Sequence, residues 1–298
     1  MTAPRQVLPG QTYLVTRRCS ERRYFLRPSK ETTEIFRYLL AVVAERYGIS
    51  LHAFCVLSNH VHLVLTDPLA HLPDFQRDLD ALVARAMNVA LGRGEAFWAR
   101  DSYSAVSLES RETVMDKIVY VLANPVAAAL VRRGREWPGL WSDPASMGRP
   151  GETVVRPEGF FRVDGPLPAV ACLELRPPPG FGDPVALVAE LGDRLRRVED
   201  EVAVRLGAEG RSFAGVARVV AQDPWGRPAS EERRRTTNPR VASKDVWKRI
   251  EALLRLREFR TRHHDALAAW RAGIREVVFP AGTWLMRVRH CVRCAAPA

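Results

Sequence analysis

The stretch Ser58-Asn59-His60-Val61-His62-Leu63-Val64-Leu65 opens on a two-residue turn and runs into an apolar, β-prone segment. Its histidines stand at i and i+2. Successive strand side chains point to opposite faces, so His60 and His62 share one face and Val61 takes the other. Two imidazoles on one face can converge on a single ligand. Imidazole beside a hydrophobic strand is polar weight that a plain core avoids. A bound metal is the ligand that would offset that cost.

Working outward, Ile49 to Leu57 predicts a strand, and Ser58 and Asn59 turn it antiparallel onto a second strand over His62 to Thr66. Thr12 to Thr16 predicts a short strand with Tyr13 and Val15 on one face. Between these, Ser29 is an N-cap for a helix whose stripe is Ile35, Leu39, Val42 and Val43. That helix runs to Tyr47, and Gly48 stops it. Pro73 to Leu91 is a second helix, ended by the Gly92–Gly94 pair. Tyr103 to Leu108 alternates as a fourth strand, and Ser110 caps a third helix from Arg111 to Ala123. The order β-α-β-β-α-β-α predicts an α+β fold, a ferredoxin-like antiparallel sheet with helices on one face.

Three regions follow from this reading: a first domain over 1–145, a Pro/Gly-rich connector over 146–184, and a mainly helical region over 185–298. The connector contains Arg176-Pro177-Pro178-Pro179-Gly180 and has room for only short ordered pieces. Helices are predicted over Val185–Leu206, Ser212–Ala221, Lys244–Arg260 and His263–Arg275. Two uses fit them, a helix-turn-helix-like DNA binder or a helical cap on the first domain. Glu231 to Arg240 is Arg-rich and turn-rich, a solvated loop or a phosphate grip.

The 298 residues carry a formal net charge of +11, which points to a polyanion, nucleic acid first. Lysine occurs only at Lys30, Lys117, Lys244 and Lys248, so arginine supplies nearly all the positive charge. An arginine bias also arises from GC-rich coding. No apolar stretch is long enough to span a bilayer, and Met1 to Gly10 lacks the apolar run of a secretory signal. A cytoplasmic location is expected. Cys19, Cys55, Cys172, Cys291 and Cys294 are odd in number and scattered, which argues against a disulfide framework. Cys291-Val292-Arg293-Cys294 has no second pair to complete a zinc site, and incidental cysteines near a frayed C-terminus are expected.

The third helix carries Tyr120-Val121-Leu122-Ala123-Asn124-Pro125-Val126. Tyr120 and Asn124 are four apart and share a helix face. Pro125 lacks an N–H and disfavours helical geometry at Asn124. The helix should kink or end there, leaving the Asn124 amide to aim at something.

Together, the two motifs resemble the HUH endonucleases, whose signature is His-hydrophobic-His. Ser58-Asn59-His60-Val61-His62 with Tyr120-x-x-x-Asn124-Pro125-Val126 is similar to the single-tyrosine transposases, in particular the REP-associated tyrosine transposases. The likeness covers roughly Gln11 to Ser142. Leu256 to Arg293 resembles C-terminal extensions on some of these proteins. The resemblance implies the HUH endonuclease fold, Tyr120 as nucleophile, and a divalent Mg²⁺ or Mn²⁺ held by His60, His62 and Asn124. It implies single-stranded DNA, hairpin-containing, as partner, a monomer or homodimer, and a nucleoid-associated place in a bacterial cytoplasm. This chain departs from the usual Tyr-Ile-His-x-Asn-Pro-Val-Arg-Ala-Gly run at Leu122, Ala127 and Ala129.

The implied reaction is DNA nicking and rejoining through a 5′-phosphotyrosine. A phenol, with a pKa of about 10, needs activation or a proton acceptor for this. A second reading is a catalytically silent DNA-binding regulator descended from such a transposase. A third, a zinc hydrolase built on His-x-His, needs further ligands on later strands that the sequence lacks. Tyr103, His52, His71, His263, His264, Trp98, Trp137 and Trp141 are read first as packing or surface residues, with His52 also able to help the site.

Overall fold

The computed structural model describes residues 4–100, 103–230 and 239–297. Its centre is a sheet of β1 (Gln11–Arg18), β2 (Ser50–Leu57), β3 (His60–Asp67), β4 (Ser104–Leu108) and β7 (Val241–Ala242), in the order β2-β3-β1-β4-β7. Each neighbouring pair among the first four strands is antiparallel, with β3 and β1 inside, as the ferredoxin-like order requires. The two-residue β7 adds a parallel edge beside β4 that was not foreseen.

Local chemistry explains the crossover helices. In α1 (Lys30–Tyr47) the Ser29 side chain accepts from the Thr32 N–H, and Gly48 closes the helix in the left-handed region at φ 64°. In α2 (Leu72–Ala90), Leu72, Phe75, Leu79, Val83 and Ala86 make one buried stripe. Both helices lie on the face of Tyr13, Val15 and Arg17; Arg17 Nε sits 2.9 Å from Asp80 of α2.

The expectation that helices occupy one face is corrected by α3 (Arg111–Leu122), which crosses the other face over β2 and β3. Both strands are buried along almost their whole length because both of their faces are covered. The short α4 (Asn124–Ala127) follows α3 after the single residue Ala123, so the chain breaks its helix where Pro125 requires. Gly134 closes this end: a Cβ there would stand 2.7 Å from the Leu122 carbonyl oxygen and 3.1 Å from Trp141.

Residues 146–184 contain a hairpin of β5 (Glu152–Val155) and β6 (Val170–Leu173), packed on α1. The main core runs from Val7 to Val219, so α5 (Pro184–Ala208) shares it. α6 (Val216–Val220) is short. Lys244–Arg260 and His263–Arg275, expected as two helices, form one helix, α7 (Val246–Arg271). No breaker separates Arg260 from His263, so no helix-turn-helix forms there. The C-terminal end is docked rather than frayed: the Phe279 N–H donates to the Arg293 carbonyl oxygen and the Ala295 N–H to the Phe279 carbonyl oxygen, beside α8 (Leu285–His290). All five cysteines are free thiols. Of the loop predicted over Glu231 to Arg240, residues 231–238 lie outside the described residues. Among the described residues no helix is long and apolar enough to cross a membrane.

Two buried polar groups hold turns of the sheet. Asp67, fully buried, accepts from the backbone N–H groups of Leu69, His71 and Leu72, fixing the entry into α2. His52 sits at the register shift between Leu51 and Ala53, with Nε2 2.7 Å from the Thr66 hydroxyl and Nδ1 2.6 Å from the Arg176 carbonyl oxygen. Burial pushes its pKa down to about 4.

Asp67→Ala should orphan three N–H groups and lower unfolding free energy by about 3 kcal/mol in urea titrations; an unchanged midpoint would refute this role. The His52 imidazole resists protonation in the fold, whereas the unfolded chain binds a proton near pH 6.5. Its contribution is therefore complete above pH 6.5 and is lost as pH falls towards 4, by up to about 3 kcal/mol. Stability measured from pH 7 to 4 should fall less steeply in His52→Gln than in the parent; parallel curves would count against this.

Candidate active site at the histidine pair

The antiparallel register of β1 and β3 places Thr16 opposite His62 and Arg18 opposite His60. Both imidazoles emerge on the face that α3 covers. Their rings meet edge to face, with centroids 4.8 Å apart. His62 is buried and His60 half-buried. Each Nδ1 has an oxygen partner: Thr16 Oγ1 at 2.9 Å from His62, and Asn59 Oδ1 at 2.7 Å from His60. An amide oxygen only accepts, so His60 donates from Nδ1, which leaves Nε2 as the nitrogen that carries the lone pair when the ring is neutral. This is the arrangement by which a ligating histidine is oriented, with its second nitrogen held by an oxygen.

The turn that presents the pair is itself anchored. The Ser58 and Asn59 carbonyls accept from the Leu26 and Cys19 N–H groups, and the Asn59 amide donates to the Arg22 carbonyl. The Ser58 hydroxyl donates to Gln222 Oε1 at 2.6 Å, a contact from a segment far along the chain.

Tyr120 comes from α3, where Ile118, Val119, Val121 and Leu122 are buried and the tyrosine is left 43% exposed. Its ring meets His62 edge to face, at 5.3 Å between centroids and 76° between planes. The Lys117 ammonium lies 5.5 Å from the same ring. The Ser110 hydroxyl caps the helix by accepting from the Thr113 N–H. Trp141 Nε1 donates to the Leu122 carbonyl oxygen at its other end. From α5, Arg194 pairs with Glu112, and buried Glu199 accepts from the Gly134 N–H at 2.7 Å. Phenol and imidazoles are thus delivered by different elements, each tied at both ends.

Asn124 begins α4, one turn beyond Tyr120, half-buried; its amide makes no hydrogen bond among the described residues. The structure brings His60, His62 and Tyr120 into one contact group and places Asn124 on the adjoining turn. No group of three or more His, Cys, Asp or Glu side chains among the described residues is arranged to hold a metal ion. A cation here would rest on two imidazoles with an amide oxygen. The amide oxygen, with water or phosphate oxygens, suits a hard divalent ion, whereas the two imidazoles draw the set towards softer first-row ions.

The other sequence candidates lie elsewhere. Tyr103 precedes β4 beneath the Arg5 guanidinium. His52 is used up by its two bonds in the sheet. His71 stands at the start of α2, and His263 packs on Phe259 and Phe279. Trp98, Trp137 and Trp141 donate to the carbonyls of Asp80, Val56 and Leu122, so they anchor the fold. Thr16, Lys117 and Gln222 were missed by sequence reasoning. Thr16 had no signal short of the strand register, and Gln222 had none at all. Lys117 was legible, three residues before Tyr120 on the same helix face.

No protein-family signature and no characterised protein sequence matches the chain. Among solved structures, it is similar to a REP-associated tyrosine transposase bound to a REP hairpin. That match has 18% identity and a TM-score of 0.40, covering 47% of this chain and 81% of the other. It is also similar to a candidate transposase from Deinococcus radiodurans R1, with 25% identity and a TM-score of 0.28, covering 38% of this chain and 89% of the other.

Proposed function

We propose that this protein is a metal-dependent, single-tyrosine DNA strand transferase of the REP-associated type, acting on hairpin-containing single-stranded DNA. The observation that carries the reading is the contact of the Tyr120 ring with His62, which unites the two sequence motifs across the fold. The exposure of Tyr120 supports it, since a nucleophile that must meet a DNA phosphate cannot be sealed in the core.

Tyr120 Oη attacks the scissile phosphorus. The Oη–P bond forms, the P–O3′ bond breaks, and the electron pair leaves with the 3′ oxygen, which takes up a proton. The phenolic proton passes to water or a neighbouring base. The product is a 5′-phosphotyrosine and a free 3′-hydroxyl. The phosphodiester energy is kept in the new ester, so a 3′-hydroxyl can reverse the step without ATP. Lys117, beside the phenol ring, meets the negative charge of the incoming phosphate. Thr16 and Asn59 hold the two imidazoles in place. A Mg²⁺ or Mn²⁺ ion on His60, His62 and Asn124 would polarise the phosphate and hold it in line.

The test is incubation with pooled single-stranded hairpins and Mn²⁺, followed by denaturing gels for a protein–DNA adduct. The wild type should form one, Tyr120→Phe should form none while still binding DNA, and Thr16→Val should reduce it by about 10- to 100-fold. An adduct in Tyr120→Phe would remove this tyrosine from the mechanism. Strand binding with no adduct on any hairpin would favour the silent regulator.

A further inference from the structure

A second site lies on the sheet face turned away from the histidines. Where the N-terminal segment, β4, β7 and α7 meet, a cavity of about 70 Å³ opens beside Tyr13 and Ser107. Tyr13 pairs with Ser107 across β1 and β4, one residue out of phase with the Thr16–His62 face. The cavity is near Gln11, which pairs with Asp67 at the opposite end of β3 from His60, roughly 20 Å along the strand.

Among the described residues its lining includes Arg5, Arg240, Arg255 and Arg260 against one carboxylate residue, Glu109. Glu109 is already engaged: Arg255 Nη2 stands 2.9 Å away, and the Ser107 hydroxyl and Gln11 amide donate to it. Arg5 lies over the Tyr103 ring and donates to the Tyr103 carbonyl oxygen. Arg240 on the β7 edge and Arg260 on α7 are different. Arg240 Nη1 and Arg260 Nε are sealed from solvent without a hydrogen-bond partner, and neither side chain forms an ion pair among the described residues. Burial, and then the like charges of Arg5 and Arg260, hold Arg240 below the usual arginine range.

Buried donors are normally satisfied, and each orphan calls for an explanation. The two side chains that carry these orphans, from separate parts of the chain, line one basic space with apolar walls at Val7, Leu72 and Leu256. Guanidinium forks match oxyanions, and low-polarity walls strengthen the attraction. A carboxylate would bring a single charge, whereas a phosphate group brings more charge and more acceptor oxygens to this cluster.

We infer that Arg240 and Arg260, with Arg5 beside them, form a phosphate-binding pocket separate from the Tyr120 centre. A free phosphate and a nucleic-acid phosphodiester share this chemistry. The site ties the β7 edge to α7, so its occupant would clamp the C-terminal helix to the sheet.

The test compares thermal melts of the full chain in inorganic phosphate and in sodium chloride at matched ionic strength. Phosphate should raise Tm. Arg240→Gln and Arg260→Gln should each remove that rise and weaken phosphate binding by at least about tenfold. Without phosphate, neither should melt below the parent, since a like charge has been removed. Should Arg240→Gln fail to fold, Arg260→Gln, half-exposed on α7, gives the reading alone. Equal shifts in the two salts, or a phosphate rise that survives both substitutions, would overturn the pocket. A fluorescent single-stranded oligonucleotide identifies the source. Its displacement by phosphate, with weaker binding in both variants, assigns the pocket to the DNA backbone. Oligonucleotide binding unaltered in both variants, with the phosphate rise seen in the parent and lost in the variants, assigns it to free phosphate. No arm reads Tyr120 adducts, so this pocket and the proposed strand transfer can fail separately.

Discussion

The pairing of β1 with β3, which sets Thr16 against His62, is the constraint on which the rest of the structure depends. A slip of one residue would turn His60 and His62 into the space between the sheet and α1/α2, and bring Val61, Leu63 and Leu65 out beneath α3. The register resists such a slip because Val61, Leu63 and Leu65 are all buried among the aliphatic side chains of the crossover helices. The hydrophobic effect on one face thus fixes the polar geometry of the other. Thr16 then supplies the oxygen that orients His62, and α3 can lay the Tyr120 ring against it.

The parts of the chain beyond α3 also support this arrangement. Trp141 ties the end of α3 to the outer edge of β2, where Cys55 and Trp141 form a bridge. Glu199 and Arg194 of α5 brace the loop after α4 and the first turn of α3. Gln222 reaches the Ser58 hydroxyl next to the histidines. Contacts of this kind hold a side-chain constellation more tightly than loops alone. They give the region after residue 184 a structural part in the site, whatever else it contacts.

The opening strands and helices were legible because their signals are local. Ser29 and Ser110 cap, Gly48 stops, and apolar residues recur at helical spacing up to Tyr47, so α1 and α3 fall close to their expected bounds. The placement of α3 was less visible, although the nearly unbroken apolar runs of β2 and β3 are the mark of strands covered on both faces. The break expected between Arg260 and His263 did not occur because neither glycine nor proline interrupts that segment. The two-residue β7 carries no periodicity to read.

The sequence by itself determined the strand–helix order, the shared face of His60 and His62, and the four-residue step from Tyr120 to Asn124. These follow from backbone periodicity and capping, which act over a few residues. Only the tertiary structure decided that the tyrosine helix lies over the histidine face, that Thr16 and Gln222 join the surroundings, and that arginines from α7 and from the residue before β7 share one cavity. Those are meetings of residues distant in sequence, set by strand register and by which apolar surfaces must cover one another.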